Sequence, residues 1–332
     1  MRIAFLKKHD PAGYNGGDAI YDRKLIAALR DRGDTVSILE LSPASMKKSL
    51  GRLVFHGGTV ATAKFDTPEN RQLVRQTLAE APEALIVSHE ALVDVVTAVG
   101  TELPTLFILH NVMSLIEGDA GLHGVLKNRA RASESRAFGR PNYQVAVLSH
   151  RERIALERLK PQLIHLMPPG LGKLAAARPS KLDATKIFVH GSTEWGLKRR
   201  DWTKLIKDPV ARQLSITTDA LEDDGVIRIG LVPDRFLAGF KLKAMDYIAQ
   251  NCAVISLSEV RSDFPPQSAP ENSIQTIENA GDIPAAIAHI VAHQDLIARE
   301  IEQLKEAWRL HLTWASAAAI AVEALQRTRL QL

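Results

Sequence analysis

Cysteine is nearly missing from this chain: Cys252 is the only one among 332 residues. That excludes an internal disulfide and a cysteine-based zinc site. Cys252 precedes the apolar run 253–257 and reads as a small buried residue. Long apolar stretches are missing too. No run of about 18 apolar residues exists, so no segment reads as a membrane span. The opening MRIAFLKKHD holds five apolar residues before Lys7. It reads as a first parallel strand rather than a signal peptide, and the expected location is the cytoplasm. No G-x-G-x-x-G follows that strand, which argues against a nicotinamide dehydrogenase. Neither an internal repeat nor a low-complexity tract is present. No metal motif is read, and neither a metal nor another cofactor is expected. Charge is also sparse in excess. The formal net charge is +4, all of it within residues 1–170. This falls well short of a nucleic-acid-binding stripe and suits a domain that meets a membrane surface or an acidic acceptor.

What is present is the pattern of a soluble α/β protein. The length suffices for two domains, and 45% hydrophobic with 24% charged residues is globular composition. Short apolar runs at 2–6, 35–40, 84–88, 105–109, 144–148 and 163–166 read as strands. Helical patterns lie between them at 19–30, 67–79 and 151–159. Thr67 is placed as an N-cap, with Pro68 at the first helical position. This alternation predicts a parallel sheet covered on both faces. Met167-Pro168-Pro169-Gly170-Leu171-Gly172 breaks the pattern and suits an interdomain hinge. Residues 186–190 open a second set of strands. Helices follow at 283–293, 296–310 and 314–327. Too few residues separate Gly191 from Pro233 for a full set of βα units, so one unit is expected to be missing or reduced.

The richest stretch is 232–256, VPDRFLAGFKLKAMDYIAQNCAVIS. It reads as a strand end, a glycine turn, a helix opening with lysines, and another strand. Helix-start amides, the helix dipole and nearby cations favour an anion there. Lys243 and Asp246 share one helix face, while Leu242, Met245 and Ala249 fall on another suited to the core. Gly239 to Asp246 spans roughly 10 Å if helical. A diphosphate at the turn and a ribose hydroxyl on Asp246 fit that length.

This stretch resembles the donor-binding segment of group 1 (family 4-like) retaining glycosyltransferases of GT-B fold. Their pattern runs close to P-x-x-x-G-x-G-x-x-x-K-x-x-E-x-x-x-x-x-x-P-V-V. Pro233, Gly239, Lys243 and Asp246 stand at the matching spacing, with Ala253, Val254 and Ile255 for P-V-V. Leu237 replaces the first glycine, Asp246 replaces the glutamate, and the earlier glutamate has no counterpart. The resemblance implies two Rossmann-like domains facing each other across a cleft. Their bounds would be 1–168 on the acceptor side and 169–312 on the nucleotide-sugar side, with 313–332 crossing back onto the first. It implies transfer of a hexose-type sugar from a nucleotide diphosphate to a glycan or lipid-linked acceptor, with retention and without metal.

The other site residues come from strand ends and the same resemblance. Gly16 and Gly17 lie between the first strand and first helix, where glycines let a ligand approach helix amides. They resemble the family's G-G loop, which faces acceptor and donor phosphate. His110 ends the 105–109 strand, and ligands bind at the carboxyl ends of parallel strands. The resemblance gives His110 the place beside the donor sugar. His89, at another strand end, reads as structural or acceptor-side. Val145–Ser149 resembles the family's V-V-A-V-S strand; Ser149 and Glu152 read as a structural capping box. In the loop after the strand opening the second domain, a basic residue of the family meets the diphosphate. Lys198 or Arg199 could do so here, and the sequence does not choose. Basic stretches at 46–55 and 127–140 suit a peripheral membrane contact. Two rivals remain: a nucleotide-sugar epimerase, and a non-catalytic GT-B-like nucleotide-binding or scaffold protein in polysaccharide assembly.

Overall fold

The structure is a computed structural model. It describes residues 1–11, 14, 16–45, 49, 59–115, 123–137, 139–157, 164–190, 196–235 and 239–331. The chain divides into two compact units. The first comprises Met1–Pro169, Ala238–Phe240 and Trp314–Leu332; the second comprises Gly170–Leu237 and Lys241–Thr313.

The first unit is a six-stranded sheet of β1 (Arg2–Lys8), β2 (Thr35–Leu41), β3 (Ala84–Ser88), β4 (Thr105–Leu109), β5 (Tyr143–Val147) and β6 (Ile164–Leu166). The order is β2-β1-β3-β4-β5-β6 and every pairing is parallel. All five residues of β3, β4 and β5 are buried, as strands covered on both faces must be. The helices that cover them are α1 (Gly17–Asp31), α2 (Val60–Phe65), α3 (Pro68–Ala79), α4 (Val93–Val99), α5 (His123–Arg136) and α6 (His150–Glu157). At α3 the Thr67 side chain accepts from the Asn70 amide, with proline in the first turn. Helix α4, VDVVTAV, is not read from the sequence, because its β-branched residues have weak helix propensity. Burial of Val93, Val95 and Val96 holds it, and Gly100 at φ +71° ends it.

The second unit is a five-stranded parallel sheet in the order β11-β10-β9-β7-β8. Its strands are β7 (Lys181–Phe188), β8 (Ile216–Thr217), β9 (Val226–Val232), β10 (Cys252–Ser256) and β11 (Ile274–Thr276). Helices α7 (Gly196–Lys207), α8 (Leu242–Ala249), α9 (Ile283–Ala292) and α10 (Gln294–His311) accompany them. The shortage of residues before Pro233 appears as β8, an edge strand of two residues. Strand β7 starts earlier than 186 but slips in register against β9 between Leu182 and Ile187. The last helix, α11 (Trp314–Gln331), belongs to the first unit, with Trp314 edge-on to Tyr21 at 5.2 Å.

Both sheets have a switch point, where strand order reverses and ligands of such folds bind. In the first unit it lies between β1 and β3. In the second it lies between β7 and β9.

Candidate functional site

The first unit gathers a polar cluster at the carboxyl ends of β1, β3 and β4. The His110 ring is buried. Its Nε2 is 2.8 Å from the Ser88 Oγ and 3.5 Å from Asp22 Oδ1. Ser88 in turn donates to Asp22. Tyr21 packs edge-on to the His110 ring, 5.2 Å between centroids, and His89 stacks on it at 5.6 Å. Burial works against charge on His110, but Asp22, through hydrogen bonding and charge, outweighs it and raises the pKa. His89 goes the other way: burial, then Lys8 and His110, hold it well below the usual histidine range. The stacked pair thus comprises one ring biased to the cation and one held neutral. His89 also sits at φ +117°, a conformation non-glycine residues rarely adopt.

Beside this pair, Asp18 on α1 accepts from Lys8 at 2.7 Å and from the Tyr14 hydroxyl at 3.0 Å. Gly16 is the N-cap of α1, with Gly17 opening the helix. A β-carbon at Gly16 would meet the Tyr14 ring and hydroxyl at 2.1–2.3 Å. The glycines therefore make room for a tyrosine, and the helix start already has a carboxylate in its first turn. Such an end suits a neutral hydroxyl-bearing ligand better than phosphate.

Three buried carboxylates then grip the loop that follows His110. Glu90 accepts from the Asn111 amide at 3.3 Å and its side chain at 3.1 Å. Glu152 takes the Val112 amide at 2.9 Å. Glu134 takes the Ser114 amide at 3.0 Å and hydroxyl at 2.6 Å. Burial raises the pKa of all three. The expected capping at Ser149 is present, since its hydroxyl accepts from the Glu152 amide at 3.2 Å. But Glu152 does more than cap: its Oε1 also accepts from Gly239 at 3.0 Å. Gly239 sits at φ +60°, where an added β-carbon would lie 2.1 Å from the His110 carbonyl oxygen. Only glycine fits, for both reasons.

Glu134 yields a stability prediction. Burial first, and Glu90 nearby, raise it from 4.5 to about 7, against the hydrogen bonds from Ser114. The fold therefore favours the protonated acid. That contribution is full below the unfolded value and is lost as pH rises through the folded one, about 3 kcal/mol in all. Glu134→Gln should melt like the parent near pH 5 and clearly above it near pH 8. Equal melting shifts at both pH values would refute the assignment.

In the second unit, α8 begins at Leu242, so only part of the 239–246 span is helical. Its N-cap, Lys241, makes no side-chain cap of its own and the first turn carries no acid, but the buried Asp263 carboxylate accepts from the Lys241 amide at 3.1 Å. Met245 and Ala249 are buried, while Leu242 is half-buried. Lys243 lies in the first turn and Asp246 on the exposed side. Desolvation by surrounding protein raises Asp246 to about 6, although water reaches its surface and tempers the effect. Gly172 lies alongside, where an added β-carbon would be 3.7 Å from Asp246 Oδ1. Tyr247 pins α8 to the switch point. Its hydroxyl donates to the Phe188 carbonyl at 2.9 Å and accepts from the His190 amide at 2.7 Å. Its ring fills the space where a side chain at Gly230 would sit. At the end of β9, Asp234 is buried, with Lys241 Nζ at 4.0 Å.

Of the residues singled out in sequence, His110 and Gly239 meet in the first unit, near Gly16 and Gly17 on α1. Lys243 and Asp246 lie on α8 of the second. Arg199 is on α7, exposed, beside Arg200, Thr203, Lys204 and Lys207. The Lys198 side chain, the 191–195 loop and nearly all of 46–55 lie outside the described residues. In the 127–140 stretch, Arg136 pairs with Asp94 at 2.7 Å and Arg140 with Glu102 at 3.7 Å. Asp22, Ser88 and Glu90 went unnoticed in sequence; the acid four residues after Asp18 was their one local signal. One metal-type spacing was also overlooked: His289 and His293 form an H-x-x-x-H pair, rings 4.1 Å apart. Among the described residues, no group of three or more His, Cys, Asp or Glu is placed to hold a metal. Nor is any helix among them long and apolar enough to cross a membrane.

No family model and no curated protein sequence matches this chain. Solved structures do. Sucrose-phosphate synthase from Thermosynechococcus elongatus is 14% identical over 99% of each chain, with a TM-score of 0.69. A glycosyltransferase from Rickettsia africae is 12% identical over 98% of each chain, at 0.63. HepE of Anabaena, in complex with UDP and glucose, is 10% identical over 98% of this chain and 99% of its own, at 0.62. At such identity the likeness speaks for architecture: two parallel α/β units, spanning the whole chain, in the GT-B fold of glycosyltransferases.

Proposed function

We propose that this protein is a glycosyltransferase that moves a sugar from a nucleoside diphosphate to an acceptor hydroxyl, with retention at the anomeric carbon and without a metal ion. The observation that carries this is the start of α8: free of acid in its first turn, with Lys243 in that turn and Asp246 one turn on. In a GT-B second domain this is chemistry suited to a diphosphate and a ribose. Two of the similar structures support it from outside, since HepE is described with UDP and with UDP-glucose. Lys243 and one of Lys198 or Arg199 would balance the diphosphate charge, and Asp246 would accept from a ribose hydroxyl. The bond between the anomeric carbon and the diphosphate breaks as the acceptor oxygen bonds to that carbon, and the acceptor proton leaves on the diphosphate. His110 has Nε2 committed to Ser88 and Asp22, so its Nδ1 edge is what remains to meet the sugar. As a cation it would stabilise charge on the departing group. Asp18 and the Gly16–Gly17 turn would receive the acceptor.

Lys243→Ala tests this directly. Losing one charge-assisted contact should weaken nucleoside diphosphate binding by about 10- to 100-fold. Titration calorimetry showing unchanged affinity would remove Lys243 from the site.

A further inference from the structure

The second unit carries 18 Lys+Arg against 19 Asp+Glu, yet it gathers five of those cations onto one helix. On α7, Arg200, Lys204 and Lys207 recur at i, i+4 and i+7, which is one face. Arg199, Thr203 and Ile206 form the adjoining row at the same spacing. Arg199, Arg200, Thr203, Lys204 and Lys207 line an open groove of about 370 Å³ with no acid among them. Arg212 adds a further cation at the helix end, its Nε 3.4 Å from the Ile206 carbonyl.

The acids nearby are turned to other tasks. Asp201 is buried and accepts from the Arg235 amide at 2.9 Å, with the Arg200 Nε at 3.4 Å. Asp208 caps its own turn, accepting from the Val210 and Ala211 amides at 2.9 and 3.3 Å. At the edge of this face, in the row of Arg199 and Thr203, Ile206 stands 43% exposed. Leu205, on the opposite side, is buried and fastens the helix to its unit.

We propose that this face of α7 docks on an anionic lipid surface, with the cations at the headgroups and Ile206 inserted between them. The arrangement favours a surface over a single small anion. The cations spread over roughly 10 Å of helix rather than converging on one point. An exposed isoleucine flanking a basic stripe gains from burial in the acyl boundary, and gains nothing from a soluble anion. The docking rests on Arg200, Lys204, Lys207 and Ile206, so it leaves Arg199 to the diphosphate and does not depend on the reaction proposed above.

Co-sedimentation of the full chain with phosphatidylcholine vesicles, with and without phosphatidylglycerol, tests it. Binding is expected only to vesicles with phosphatidylglycerol, and should fall as salt rises. The double variant Lys204→Ala/Lys207→Ala should partition about 25-fold more weakly, about fivefold per cation. Ile206→Ser should weaken binding at high salt as well as low. Lys127→Ala/Arg131→Ala, on α5, should bind as the parent does. All these side chains but Ile206 are charged and at the surface, and unchanged melting temperatures would confirm intact folds. Absence of vesicle binding would overturn the proposal. So would binding that survives in the α7 double variant or is lost in the α5 one. Retention on heparin without vesicle binding would also overturn it, and would give the stripe to a polyanion.

Discussion

Gly239→Ala should lower the melting temperature by roughly 10 °C and abolish sugar transfer. Three costs add. The left-handed backbone at φ +60° disfavours a side chain by about 1–3 kcal/mol. The new β-carbon would lie 2.1 Å from the His110 carbonyl oxygen, a backbone atom that cannot swing away. Any shift that relieves this contact stretches the Gly239 bond to Glu152, a fully buried carboxylate, at about 1–3 kcal/mol. Gly281→Ala is the matched control, since its β-carbon would meet nothing within 4 Å. A Gly239→Ala protein that melts within a degree or two of the parent would contradict this packing.

His110→Ala should reduce transfer by about 10²- to 10³-fold while leaving nucleoside diphosphate affinity unchanged. The loss falls on turnover because the Nδ1 edge is assigned to charge that develops in the reaction, while the proposed nucleotide contacts are on α8. A milder variant separates this role from folding. In Asp22→Asn the ring stays, but the partner that raises its pKa loses its charge. In the proposed role the active form is the imidazolium, present below its folded pKa and lost as pH rises through it. The alkaline limb of the pH–rate profile should therefore move to lower pH in Asp22→Asn. A limb that stays in place would take the proton off His110 and require another charged group.

The buried strands were the most legible part of the chain. ALIVS and TLFIL are short apolar runs between breakers, and β3 and β4 have the bounds their sequences suggest. So was the start of α3, because Thr67-Pro68 is local chemistry. From these runs the parallel α/β architecture followed. Helix α4 escaped because VDVVTAV has strand-like residues and is helical only through its packing. Strand β7 begins with half-exposed residues and breaks register, so its first half shows no apolar run. At the site, single residues at strand ends stood out, as His110 did. Its partners did not: Ser88 is 22 residues away, and Asp22 lies 66 residues before Ser88. Glu152 reaches 40 residues back to Val112 and 87 forward to Gly239. No periodicity records such pairings. A capping pattern explained Glu152 locally and concealed its second task.

The central claim is a nucleoside diphosphate site at the start of α8. Thermal melting in the presence of UDP, GDP, TDP or ADP, without added metal, tests it most directly. One nucleotide should raise the melting temperature in proportion to the logarithm of its concentration, and the shift should vanish in Lys243→Ala. No shift with any of the four, at concentrations into the millimolar range, would contradict the account.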